Sequence, residues 1–82
     1  MNAKIVKGGK TLVELSDIRI AGAVGRLGTD FVATGGPDLM QLSIENPSGL
    51  ELLYQGTRYN CMIQTTTGDH SDFVVRGKVW LI

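Results

Sequence analysis

The chain has 82 residues, 43% of them apolar and 20% charged, which makes one domain, 1–82, near the lower limit for a single hydrophobic core. Eight basic residues balance eight acidic ones, and this argues against nucleic acid as a partner, because phosphate neutralisation calls for a basic surface. No apolar run approaches the ~18 residues that span a bilayer, so no membrane role is expected. The start, MNAKIVKGGK, lacks the apolar stretch of a signal peptide.

Glycine punctuates the sequence at eleven positions, and the runs between glycines alternate with a period of two, the mark of strands. Lys4–Val6 and Thr11–Leu15 flank Gly8-Gly9, a pair suited to a tight hairpin turn. Ser16 to Gly28 reads two ways. Ile20, Val24 and Leu27 have helical spacing, but Gly22 and Gly25 would each cost a helix about 1 kcal/mol. A strand over Asp17–Ala21 followed by a glycine-rich bend is preferred.

Thr34–Asp38 is a loop by composition, as is Asn46-Pro-Ser-Gly49. Between them, Met40, Leu42 and Ile44 alternate with Gln41, Ser43 and Glu45, which predicts another strand. Leu50–Tyr54 and Thr57–Thr66 surround a Gln55-Gly56 turn. In the second of these, Tyr59, Cys61 and Ile63 share one face, and Arg58, Asn60, Met62, Gln64 and Thr66 the other. From Asp72 to Ile82, Phe73, Val75, Val79 and Leu81 form an apolar face opposite Val74, Arg76, Lys78, Trp80 and Ile82. The expected fold is all-β: a small barrel or two-sheet sandwich of five to seven short antiparallel strands with at most one helical turn.

Cys61 is the only cysteine, so no internal disulfide forms. Its place on the apolar face predicts a core residue in a reducing compartment. The cytoplasm, or a particle assembled there, is the expected location.

Several stretches invite a chemical reading. Lys7–Thr11, KGGKT, ends like a phosphate-binding P-loop, but Lys4 occupies the position of the required first glycine and no helix follows. Gly22–Gly28, GAVGRLG, could bring backbone N–H groups and Arg26 to a ligand, or merely turn a corner between strands. Asp17-Ile-Arg-Ile-Ala-Gly22 resembles, in spacing, the D-x-S-x-x-G motif of PilZ domains, β-barrel receptors for cyclic di-GMP. Arg19 stands at the serine position and the family's upstream R-x-x-x-R loop has no counterpart, so dinucleotide binding is not carried over.

Thr65–Phe73, TTTGDHSDF, gathers Asp69, the only histidine, His70, and Asp72. One histidine and two carboxylates fall short of a zinc set, and the spacing is not that of a calcium loop. Ser71 adjoins His70 too closely to serve as its nucleophile. A turn at Gly68-Asp69 accounts for the stretch, with His70 left as a pH-sensitive contact at a subunit interface. No catalytic residue, cofactor or metal is expected.

The informative face is that of Arg76, Lys78, Trp80 and Ile82, because Trp and Arg are enriched at interface hot spots. The chain is therefore expected to be a non-enzymatic module that self-associates, as a homo-oligomer, or docks on a larger protein assembly of the kind small virion components build. A ligand- or nucleic-acid-binding barrel using Gly22–Gly28 is the alternative.

Overall fold

The computed structural model describes residues 2–36, 38–69 and 72–82. Period-two runs and turn residues give seven strands: β1 (Ala3–Lys7), β2 (Lys10–Leu15), β3 (Ile18–Ile20), β4 (Thr29–Gly36), β5 (Glu51–Tyr54), β6 (Thr57–Asp69) and β7 (Asp72–Trp80). One short helix, α1 (Met40–Glu45), interrupts them. All pairings are antiparallel, so the all-β architecture is as the sequence predicts. Among the described residues no helix is long and apolar enough to cross a membrane.

The strands form one sheet in the order β2-β1-β5-β6-β7-β4-β3, not closed into a barrel. Its two edges, β2 and β3, are nevertheless consecutive in the chain, separated only by Ser16 and Asp17. Six strand spacings would put the edges of a flat sheet about 29 Å apart. Three Cα steps from Leu15 to Ile18 reach no more than about 11 Å. The sheet must therefore curl until its edges nearly meet. Asp17 makes the corner at φ +52°, a left-handed conformation that aspartate tolerates better than most residues. Its Oδ2 accepts a hydrogen bond from Thr34 Oγ1 at 2.9 Å, tying the corner to β4.

Curling gives every strand access to one core. Ala3, Ile5, Leu15, Ile18, Phe31, Ala33, Leu52, Cys61, Val75 and Val79 are buried together, and each such side chain removed from water contributes about 1.5–3 kcal/mol for the larger ones. The radius of gyration is 11.5 Å, against about 11.7 Å for a well-packed domain of this length. Both two-residue hairpins form where glycine foretold them. Gly8 and Gly9 lie at φ +58° and +80°, and Gln55 and Gly56 at +52° and +78°, the pattern whose twist matches that of the flanking strands. Residues 18–20 form the preferred strand, and residues 22–28 form a bend with no helix.

Several details depart from the sequence reading. Residues 40–45 are helical, because the governing pattern starts one residue earlier: Leu39 is buried and Leu42 and Ser43 are half-buried, at helical spacing. Met40 and Ile44, on the expected strand face, point to solvent at 46% and 64% exposure. Residues 29–36 are a strand the sequence reading left unassigned, and Thr34 to Gly36 belong to it rather than to the loop. Thr66 faces inward, because Gln64 is an extra residue between the Ile63–Gly77 and Thr65–Arg76 pairs, and such a bulge reverses facing beyond it. The buried Thr66 hydroxyl donates to Asp38 Oδ1 at 3.3 Å and accepts from the Leu39 amide at 3.4 Å, pinning α1 to β6. Finally, Gly68 and Asp69 pair with Phe73 and Asp72, so they end a strand rather than make the turn; His70 and Ser71 lie outside the described residues.

Gly77 sits at the centre of the core. It pairs with Phe31 on one side and Ile63 on the other, and the Phe31 ring lies over its Cα. An added Cβ would stand 2.6 Å from Phe31 Cε1 and against the Met62 carbonyl. Overpacking of this kind costs about 1–3 kcal/mol or more. Gly77→Ala is accordingly expected to lower the guanidinium unfolding midpoint by that equivalent; an unchanged midpoint would mean the ring is not held there.

Candidate functional site

Alternation along β7 sorts its side chains as the sequence implies. Val75, Gly77 and Val79 are buried, Arg76 and Lys78 are exposed, and Trp80 is half-buried on the outer side. Across the sheet, Arg76 stands between Val32 and Thr65, and Lys78 between Asp30 and Met62. Trp80 pairs with Asn60. Ile82 lies past the end of the strand, 65% exposed.

Leu81 corrects the expected core face, being 44% exposed. The ladder ends at Trp80, and the Leu81 amide instead donates to the Gly25 carbonyl at 3.1 Å. That same carbonyl accepts from the Gly28 amide at 3.3 Å, closing a turn with Arg26 and Leu27 at its tip. Gly28, at φ +88°, backs so closely onto β7 that a Cβ would lie 3.2 Å from the Val79 carbonyl and 3.7 Å from Trp80 Cβ. The structure thus brings two separate sequence candidates together: the Gly22–Gly28 loop lies on the end of the Trp80 strand.

Leu27 is the residue that sequence reading missed. Helical spacing placed it with Ile20 and Val24, yet it is 99% exposed. The one signal for this was its position between Arg26 and Gly28, in a segment too glycine-rich to bury it. Leu27 thus stands in water on the turn whose Gly25 carbonyl holds the Leu81 amide, and Leu81 and Ile82 are themselves exposed.

Elsewhere the chemistry is sparse. An open groove of about 600 Å³ runs over β1 and β2, and its ionisable groups, Lys4 and Glu14, bond each other at 3.7 Å. Arg58 Nε and Glu51 form a second surface pair at 3.7 Å. Such pairs contribute about 0–1 kcal/mol. Among the described residues no three His, Cys, Asp or Glu side chains cluster to hold a metal ion.

Cys61 is a buried free thiol. Burial pushes its pKa from 9.0 up to about 12, with a further push from the Glu51 carboxylate. The thiolate that a nucleophile needs is therefore suppressed. The sign for stability follows: the unfolded chain loses the proton first, so this contribution is complete below pH 9 and declines toward pH 12. Unfolding free energy measured from pH 8 to pH 11 is expected to fall less steeply in Cys61→Ala than in the parent chain. Equal slopes would show that the thiol is not desolvated.

No protein-family model, curated protein or solved structure matches the chain.

Proposed function

We propose that this protein is a non-enzymatic assembly module that docks on protein, a second copy or a larger assembly, through the end of the sheet where Leu27, Trp80, Leu81 and Ile82 gather. The observation that carries this reading is Leu27, 99% exposed on a turn whose geometry is fixed by hydrogen bonds to the Gly25 carbonyl. A rigid turn presents that side chain without the ordering cost a flexible loop would carry. Half-buried Trp80 beside it supplies the residue type most often found at interface hot spots. Arg76 and Lys78 extend the same strand face as a charged rim.

The magnitudes point to association between folded units rather than folding on association. The accessible surface is 5065 Å², close to the roughly 4,800 Å² expected for a monomer of this mass. The chain therefore has little unburied core in need of a partner. The unpaired, buried Cys61 supports assembly in a reducing compartment, the cytoplasm or a particle formed in it.

Light scattering coupled to gel filtration over a concentration series tests the reading. The parent chain is expected to give a defined oligomer, and Leu27→Asp, which touches no buried group, a monomer with unchanged circular dichroism. A parent chain that stays monomeric at every concentration would contradict self-association. An oligomer indifferent to Leu27→Asp would place the interface elsewhere.

A further inference from the structure

The outer face of β3, β4 and β7, which carries Arg76 of the docking rim, holds a surplus of positive charge. Strand register sets Arg19, Val32 and Arg76 side by side in one cross-strand row. Adjacent strands lie about 4.8 Å apart, so the two arginine Cα atoms are about 10 Å apart. Both arginines are exposed and Val32 between them is half-buried. Together with Ile20 and Asp30 they line a concavity of about 220 Å³.

The charge balance of this face is uneven. Lys4 and Arg58 pair with Glu14 and Glu51, but among the described residues neither Arg19 nor Arg76 has a carboxylate within salt-bridge distance. Asp30 is the one acid lining the concavity. It stands in the next row, directly across from Lys78, whose charge offsets it. Two positive charges remain, on a chain whose net charge is zero.

Two guanidinium forks on either side of Val32, in one cross-strand row, suit an oxyanion with several acceptor oxygens. Each fork can donate two parallel hydrogen bonds, and the planar groups carry a lighter desolvation cost than ammonium. A span of about 10 Å between Cα atoms is within reach of two arginine side chains converging on one tetrahedral group.

We propose that Arg19 and Arg76 form a clamp for one phosphate group of a small phosphorylated molecule, with Val32 as the apolar floor under its carbon skeleton. The neighbouring Asp30 carboxylate keeps the affinity modest and disfavours closely spaced phosphates. The site shares Arg76 with the rim of the docking surface but does not rest on that reading, since neither arginine is needed to present Leu27 or Ile82.

The test is an NMR titration of the full chain with inorganic phosphate at constant ionic strength, following backbone amide shifts. Saturable shifts centred on Arg19, Val32 and Arg76 are expected, absent when sodium chloride replaces phosphate. Arg19→Gln and Arg76→Gln should each weaken binding about tenfold or more, the worth of one lost charge-assisted contact, with the rest of the spectrum unchanged. Arg26→Gln, on the turn between β3 and β4 and not among the residues lining the concavity, should bind as the parent does. Shifts that do not saturate, that chloride reproduces, or that survive in both Gln variants would overturn the clamp. A single-stranded oligonucleotide that binds through the same residues more tightly than phosphate, with steep salt dependence, would overturn the small-molecule assignment.

Discussion

Two residues, Ser16 and Asp17, hold the two edges of the sheet together. Because β2 and β3 are at opposite ends of the strand order yet adjacent in sequence, the sheet has no flat alternative. The corner converts seven strands, which on their own would present one apolar face to water, into a wrapped layer with one interior. It brings the two edges close without hydrogen bonding them to each other. The left-handed Asp17 and its bond from Thr34 are the local means by which this global geometry is reached.

The interior then dictates what remains on the surface. Gly77 gives way to the Phe31 ring, and the bulge at Gln64 turns Thr66 inward to hold Asp38 and Leu39. The helix fixed in this way is also tied at its other end, where Lys7 Nζ donates to Asn46 Oδ1 at 3.1 Å. Helix and glycine-rich turn are associated with different ends of the strands: α1 with Thr66 near the end of β6, the turn with the close of β7. Apolar side chains that the core does not take stand in water on α1, at Met40 and Ile44, and around the turn and the close of β7, at Leu27, Leu81 and Ile82. The outer strand face keeps its arginines because inward positions are taken by alternation.

Much of this could be read from residue order because the determining forces were local. Gly8-Gly9 and Gln55-Gly56 announce hairpins since few other residue pairs accept two positive φ values. Alternation in β7 gives Val75 and Val79 inward and Arg76 and Lys78 outward, as observed. The failures have non-local causes. Met40 to Glu45 shows a period of two in sequence, but burial of Leu39 and Leu42 against the sheet selects the helix. Strand β4 was obscured because outward Val32 blurs its alternation and the small Ala33 is a weak inward signal. One inserted residue at Gln64 changes the side that Thr66 faces, and nothing local marks it. Leu81 is apolar, and only its backbone bond to the Gly25 carbonyl, beyond the end of the ladder, shows why it is held out of the core.

Lengthening the corner would show whether its shortness curls the sheet. With Gly-Ser-Gly inserted between Ser16 and Asp17, the added loop entropy alone would cost under about 1 kcal/mol. If the short corner is what curls the sheet around one core, guanidinium unfolding should show a loss of at least about 2 kcal/mol, within the range of a disrupted core. Stability retained to within about 1 kcal/mol, the loop-entropy cost alone, would mean that side-chain packing curls the sheet by itself and that the corner merely follows.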